Sequence, residues 1–545
     1  MTWLPKLIRR IAVALAFAGL VLTNLNAAVI ELTAAAPPVE GGSIVSQPVR
    51  LDGSAKRLGP CWWREHRSQH VLYVEGDPFT MGYCNSRLAG PVMERQEGAL
   101  HTALNGLVPF RPLRTALVRT LSFIYRKMPL HLSTSHRTEI AGLAEGYSDP
   151  YRHLGATYGR ILTYHAIHDV SQAMVDNPIL ACSAFAASGE ATVDGHTLLA
   201  RNFDFEGGRV FDEDKVTIFT RPDYGIPFVS VAWAGMAGAV SGMNAEGIGV
   251  VLNAAGSDDL ALEGTPTTLV LRDILQFASS IDDAVDIIER SRVFVTDIFT
   301  LADGKTGELA VVEVTPEAVA VSREAPVIYA TNHLRHPTFK DDEENGKRML
   351  GGTTISRFNR LAELVEAHRG ELDPLAAQSI LRDRKLPGNV DAPLGHRGTI
   401  DALIASHAVI FDLTGRRFWV SSSPHTLGEF VEYDFDEAMQ GQTRDLGALP
   451  ADPMLTDGRW ANFQAAETLM AESDGLDGPP RVSRLRSALE LAADHPGLLV
   501  RLAEACDAIE DDACSRETWA RVLSIEPPYR KTATKAEGRL QELAQ

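Results

Sequence analysis

The stretch that decides the fold is Leu180-Ala181-Cys182-Ser183-Ala184-Phe185-Ala186-Ala187, with Arg201-Asn202-Phe203-Asp204-Phe205 nineteen residues beyond the cysteine. The first segment is small and apolar, and from Cys182 onward the texture is β. The second alternates toward a strand end and carries a cation and a carboxylate three apart. A thiol with an arginine and an aspartate near it in sequence suggests nucleophilic chemistry, in which a nearby cation favours the thiolate. A nucleophile that uses its own α-amine as base has to begin a chain. Cys182 lies in mid-chain, so this reading requires the chain to cut itself between Ala181 and Cys182.

Outward from this point the texture is β. Short apolar runs alternate with Gly and Asp turns at Thr197–Phe203, Lys215–Thr220, Phe228–Trp233 and Gly247–Asn253, and Asp194-Gly195 marks a hairpin turn. Helices are predicted at Thr267–Phe277 and at Ile281–Arg290, the second capped by Ser280. Strands return at Asp297–Ala302, Glu308–Val314 and Val327–Thr331. Helices follow at Thr353–His368 and Asp373–Arg382, and two last strands at Ser406–Asp412 and Arg417–Ser421. This order suits two stacked sheets with helices outside, an α+β architecture. Upstream, a strand and turn at Val71–Gly76 precede a helical region over 89–175, broken by Asn177-Pro178.

The remaining sequence bounds the setting. The 545 residues are 45% hydrophobic and 23% charged, a globular composition that allows several domains. A net charge of −19 argues against a nucleic-acid partner. Lys6, Arg9 and Arg10 precede the apolar run Ile11–Leu22, which reads as a secretory signal or, if uncleaved, an N-terminal anchor. The expected location is exported: periplasmic or secreted, or attached to the inner membrane if the segment is retained. Of five cysteines, Cys61, Cys84, Cys506 and Cys514 remain once Cys182 is set aside. They could pair locally as Cys61–Cys84 and Cys506–Cys514, or stay free and buried. No spacing resembles a metal site, and no cofactor is expected.

The C-terminal stretches Val482–Asp494, Gly497–Ile509 and Cys514–Ile525 read as amphipathic helices. They are either one or two degenerate tetratricopeptide-like hairpins, a possible protein-binding surface, or a plain bundle packed on the main domain. The expected boundaries are a signal or anchor over 1–28, a linker over 29–69, a helical region ahead of the expected cut over 70–181, the domain that begins with Cys182 over 182–436, a linker over 437–479 and a helical extension over 480–545.

Taken together these motifs resemble the N-terminal-nucleophile acylases, and most closely the peptidase C45 family that includes acyl-coenzyme A:6-aminopenicillanic acid acyltransferase. Penicillin V acylase, bile salt hydrolase and the acylethanolamine amidases are wider relatives. The resemblance covers about residues 70–435. It rests on the two opening segments, on Ala191–Gly195, and on Gly242-Met243-Asn244-Ala245-Glu246-Gly247 leading to Val251-Leu252-Asn253. It continues in Tyr329-Ala330-Thr331-Asn332 and Ser356-Arg357-Phe358, with pro-region pieces at Glu75–Pro78, Met81-Gly82 and His168-Asp169.

The resemblance implies a four-layer αββα fold, here with a helical C-terminal extension. It implies self-cleavage at Ala181–Cys182, with Cys182 then acting as nucleophile and, through its α-amine, as base. Arg201 would sit beside the thiol and Asp204 would hold the α-amine. Residues three apart on a strand face opposite ways, so one of these two is expected at a bend. Asn332 would offer its side-chain N–H to the oxyanion, Asn253 would complete the hole through its side chain or nearby backbone, and Arg357 would brace Cys182 or the substrate. His165, His168 and Asp169 read as structural. The implied substrate is a small molecule with an acyl bond. The leading expectation is amide hydrolysis, with acyl transfer to an amine and a catalytically retired scaffold as alternatives.

Overall fold

The computed structural model describes residues 43–108, 110, 113–114, 125–167, 169, 180–259, 261 and 263–544, together with 19 and 21. The signal or anchor expected over 1–28, His168, and Asn177-Pro178 lie outside the described residues, apart from those two positions. No helix among the described residues is long and apolar enough to cross a membrane.

Two sheets carry the molecule. The larger has eleven strands, in spatial order Arg50–Asp52, Ala55–Leu58, Cys61–His66, Gln69–Gly76, Val216–Pro222, Phe228–Ala232, Ser241–Asn244, Ile248–Ala254, Asp297–Asp303, Leu309–Val314 and Val319–Arg323. All neighbours are antiparallel except Gln69–Gly76 against Val216–Pro222, which pair in parallel from His70↔Val216 to Gly76↔Pro222. The smaller sheet runs Val327–Ala330, Leu180–Gly189, Gly195–Phe205, Ala405–Asp412, Arg417–Ser421, Phe430–Asp434 and Ala448–Leu449.

The period-two alternation of the strands sorts their side chains into layers. Ala184, Ala186 and Leu199 face inward and meet Phe219, Val229 and Val251 of the larger sheet. Their neighbours Phe185, Leu198 and Ala200 face outward onto Leu361, Val365 and Ile380 of helices Thr354–Ala367 and Pro374–Leu381. On the far side, Leu252 and Phe299 meet Leu271, Ile274 and Ile288 of Thr267–Phe277 and Ile281–Arg290. The order helices, sheet, sheet, helices is the four-layer α+β architecture that the sequence implies.

Helices Pro78–Leu107 and Thr134–Gly146 cover the rest of the larger sheet, packing Leu88 and Leu143 near Leu72 and Ile218. They pass backbone to backbone. A Cβ on Gly82 would lie 1.9 Å from the Glu139 carbonyl oxygen, and one on Gly142 would lie 2.2 Å from that of Phe79.

Three expectations need correction. Residues 50–66 are strands at the edge of the larger sheet, not linker. They are short and largely polar outside the buried Cys61-Trp62-Trp63, so no periodicity betrays them. The first long helix starts at Pro78 rather than near 89. Asp77 accepts from Thr80 N at 3.1 Å as its N-cap, and proline fits the first turn. Residues 459–473 form a helix inside the region expected as linker, opened from Gly458 in the left-handed conformation (φ 90°).

The C-terminal region therefore holds Arg459–Ser473, Gly478–Leu491, Pro496–Ala508, Asp512–Ser524 and Arg530–Glu542. They share a core around Leu485, Leu502 and Trp519. Phe463 docks them on the main body against Leu403, Leu427 and Met454. Disulfides join Cys61 to Cys84 and Cys506 to Cys514, and Cys182 is free.

Candidate active site

Cys182 sits near the start of strand Leu180–Gly189, which pairs antiparallel with Gly195–Phe205. The register places Ala184 opposite Arg201, Cys182 opposite Phe203 and Ala181 opposite Asp204. The Cys182 side chain thus shares the inward face with Arg201 and Phe203, while Ala181 shares the outward face with Asp204.

Arg201 Nη2 lies 3.3 Å from Cys182 Sγ. The guanidinium is wholly buried and heavily anchored. Nη1 donates to Val240 O at 2.9 Å and to Ser241 Oγ at 2.6 Å, Nη2 also donates to Leu252 O, and the group stands 4.3 Å from the Phe203 ring centre. Ser241 Oγ is in turn 3.1 Å from Nε2 of His407, whose ring stacks on Phe203. Burial pushes the Cys182 thiol above its usual range. Arg201 and Arg357 oppose that rise and Asp204 adds to it.

The main chain of Cys182 is gripped from the other side. Its N–H donates to Asn332 Oδ1 at 2.9 Å, and its carbonyl accepts from Arg357 Nη1 at 2.5 Å. Arg357 Nη2 also donates to Asn332 Oδ1, at 2.7 Å. Asn332 is fixed by its own N–H on Thr354 Oγ1 at 2.8 Å and by Nδ2 on Ala254 O at 2.7 Å. Asn253 spends Nδ2 on the carbonyls of Ala330 and Thr331, at 3.2 and 3.1 Å. These contacts tie the loop that bears Asn332 to strand Ile248–Ala254.

Asp204 is buried, and neither carboxylate oxygen makes a hydrogen bond to another described group. Burial pushes its carboxyl up to about 7, against the pull of Arg357 and Arg397. An unpaired buried carboxyl is costly, and here it stands opposite Ala181 at the bond expected to break.

Arg201, Asn332 and Arg357 are thus all brought onto Cys182, with Asp204 across the strand pair and Asn253 holding the backbone just before Asn332. Two expectations change. No bend separates Arg201 from Asp204. Both lie on one continuous strand, and the irregularity falls on its neighbour, between Ala405 and His407. Asn253 does not point its amide at an oxyanion position, because that amide bonds backbone carbonyls. Thr354, Ser241 and His407 belong to the site and no motif announced them. His165 and Asp169 are structural. His165 Nε2 accepts from Ala237 N at 2.8 Å, and Asp169 accepts from Thr267 N at 3.1 Å. Among the described residues no His, Cys, Asp or Glu cluster could hold a metal ion.

Comparison with known proteins gives three findings. The family model described as acyl-coenzyme A:6-aminopenicillanic acid acyl-transferase matches residues 191–418, a span that includes Arg201, Asp204, Asn253, Asn332 and Arg357. An uncharacterized protein of Archaeoglobus fulgidus is 28% identical over 269 residues, covering 46% of this chain. The chain spans 45% of that relative's length. Among solved structures, the N-acylethanolamine-hydrolyzing acid amidase ortholog of Caenorhabditis elegans is 16% identical over 43% of this chain and 93% of its own, with a TM-score of 0.32. A variant of the conjugated bile acid hydrolase from Clostridium perfringens is 15% identical over 50% and 98%, with a TM-score of 0.36. Penicillin V acylase from Agrobacterium tumefaciens is 17% identical over 49% and 92%, with a TM-score of 0.32.

Proposed function

We propose that this protein is a cysteine N-terminal-nucleophile acylase that activates itself by cutting between Ala181 and Cys182 and then hydrolyses an amide of a small molecule. The observation that carries the reading is the 3.3 Å contact of Arg201 with the Cys182 thiol, made while Asn332 and Arg357 hold the Cys182 main chain.

In the cut, Cys182 Sγ attacks the Ala181 carbonyl carbon. The S–C bond forms, the C–N bond breaks, and the thiol proton passes to the departing nitrogen. Water then opens the thioester, leaving a carboxylate on Ala181 and a free α-amine on Cys182. That amine has an ordinary pKa of about 7.7–8.0, so near neutrality it can take the proton of its own thiol. Arg201 stabilises the thiolate. Asp204, opposite Ala181 on the other side of the cut, is the counter-charge for the ammonium, which gives its unpaired oxygens a partner.

In turnover the thiolate attacks the substrate carbonyl, the amine leaving group takes the proton, and water hydrolyses the acyl-enzyme. Asn332 Nδ2 keeps one hydrogen beyond its bond to Ala254 O and can donate to the oxyanion. Arg357 and Asn253 are positioning residues. Transfer of the acyl group to an amine acceptor is the second reading, and the description of the matching family favours it.

Intact mass under denaturing, reducing conditions tests the reading. Two fragments that split before Cys182 are expected. A single uncut chain refutes the mechanism, and amide hydrolysis by Cys182→Ala would move the nucleophile elsewhere. Product analysis with an amide substrate and an added amine separates hydrolysis from transfer.

A further inference from the structure

The terminal nitrogens of Arg201 have four targets. Nη1 donates to Val240 O at 2.9 Å and to Ser241 Oγ at 2.6 Å. Nη2 donates to Leu252 O and points its other hydrogen at Cys182 Sγ, 3.3 Å away. Two of the three anchors are backbone carbonyls, whose lone pairs are fixed in place. The third is a hydroxyl, which rotates and can turn either a lone pair or its own hydrogen toward the guanidinium. Whatever sets that hydroxyl also sets the aim of Arg201.

His407 is placed to set it. Cys182, Phe203 and His407 lie side by side on three adjacent strands. The His407 ring stacks on Phe203 with centres 5.2 Å apart and planes 3° apart, and its Nε2 lies 3.1 Å from Ser241 Oγ, which comes from the facing sheet. Both residues are wholly buried. Arginine only donates, so Ser241 Oγ accepts from Nη1 and its own hydrogen must go elsewhere. Among the described residues the one other hydrogen-bond partner of that oxygen is His407 Nε2.

Three proton arrangements are open to the ring, and they differ in what they leave unsatisfied. With Nε2 bare, the serine donates to it and only the Nδ1 side of the ring stays without a partner. With the hydrogen on Nε2, the serine hydrogen and the Nδ1 lone pair are both left over. A cationic ring also strands the serine hydrogen, and it adds a second positive charge beside Arg201. Buried polar groups left without partners are costly, so the first arrangement is the most stable. Burial and the cations Arg201 and Lys215 push the His407 ring well below its ordinary range, which keeps it neutral.

We propose that Ser241 and His407 are positioning residues for the nucleophile: neutral His407 takes the Ser241 hydrogen bond at Nε2, which turns a Ser241 lone pair to Arg201 and aims the last guanidinium hydrogen at the Cys182 sulfur. This rests on the cysteine-nucleophile reading above and deepens it.

Two substitutions separate the acceptor from the stack. His407→Phe keeps a ring on Phe203 and loses the acceptor. His407→Gln loses the ring and offers Oε1 in place of Nε2. Self-cleavage is followed by intact mass across pH 6 to 10. Arg201, Asp204 and Arg357 are the charges that act on the thiol, and a misaimed Arg201 leaves it harder to ionise. Wild type should cut faster as rising pH ionises the thiol. In His407→Phe that rise should move up by about one pH unit, so cutting below it is about tenfold slower while the rates converge at the top. His407→Gln should stay close to wild type. Ser241→Ala is the second probe, should His407→Phe fail to fold, and it should move the rise the same way. In the uncut Cys182→Ala chain, nitrogen-15 NMR of labelled histidine should show a His407 ring with Nε2 bare and Nδ1 protonated, unchanged from pH 5 to 8, its signals identified by their loss in His407→Gln. A rise that stays put, equal slowing at every pH, a His407→Gln as slow as His407→Phe, or a ring protonated at Nε2 overturns the proposal. A wild type that stays uncut at every pH refutes the self-cleavage reading beneath it instead.

Discussion

The backbone nitrogen of Cys182 donates to Oδ1 of Asn332 at 2.9 Å. That bond is made in the intact chain, where the nitrogen still belongs to the Ala181–Cys182 peptide. The same oxygen accepts from Arg357, so one side chain fixes the nitrogen that would leave in the proposed self-cleavage and the cation that holds the adjoining carbonyl. Asn332→Ala removes both attachments without touching the thiol. Self-cleavage should slow by about a hundredfold, the cost of a reacting group held about 1 Å out of place. The measurement is a time course of uncut chain by intact mass. An unchanged rate would show that Asn332 is not needed to align the bond.

Asp204 sets a pH dependence with a definite sign. Burial pushes its carboxyl up to about 7, whereas an unfolded aspartate titrates at about 3.9. The folded chain therefore holds this proton more tightly. The resulting stability is complete below about pH 4 and is lost as the pH rises to about 7. Asp204→Asn keeps the neutral form throughout. In a Cys182→Ala background, which forms no α-amine, the asparagine variant should melt progressively above its parent between these pH values and level off beyond. Thermal unfolding across pH 4 to 8 measures this gap, and a flat difference would mean that Asp204 is solvated or paired.

The sequence reveals some of these relationships and conceals others for physical reasons. That Cys182, Arg201 and Asp204 lie near one another was legible because one hairpin holds all three, and strand pairing follows local alternation. The grip of Asn332 and Arg357 on Cys182 joins residues 150 and 175 positions apart. Motifs named these side chains, but only the assembled sheets decide which atom meets which. Asn253 shows the difference: its amide, expected at the oxyanion, holds a loop instead. Strands 50–66 were missed because edge strands of three to six residues carry little periodicity. Ser241 and His407 belong to no local pattern and reach the site only through tertiary packing.

The crossing of helices Pro78–Leu107 and Thr134–Gly146 predicts a sharp contrast between two glycines. A methyl at Gly82 would lie 1.9 Å from the Glu139 carbonyl oxygen, which is backbone and cannot step aside. Gly82→Ala should therefore separate the helices and cost about 1–3 kcal/mol or more. Gly90, in the same helix, has nothing within 4 Å of its Cβ position. Gly90→Ala should be neutral, or stabilising by about 0.5–1 kcal/mol. Denaturant midpoints of the two variants in the Cys182→Ala background decide it. Equal effects would mean that the helices do not touch at Gly82.

The disulfides and the sheet register together predict how the two fragments behave after the cut. Cys61–Cys84 lies wholly before Cys182 and Cys506–Cys514 wholly after it, so no covalent bridge spans the cleavage site. Denatured fragments should separate equally with and without reductant. Under native conditions they should stay together. The first fragment contributes four strands to the eleven-stranded sheet, joined to the second by the parallel pairing of Gln69–Gly76 with Val216–Pro222. Its residues Leu72, Val74 and Leu88 also share one buried cluster with Val216, Ile218 and Leu269 of the second. Releasing the first fragment would expose that cluster to water, at about 25 cal/mol for each Å² of apolar surface. Size-exclusion chromatography of processed protein should give one peak containing both fragments. Elution of the second fragment alone, still active, would show that the sheet pairing is broken after the cut.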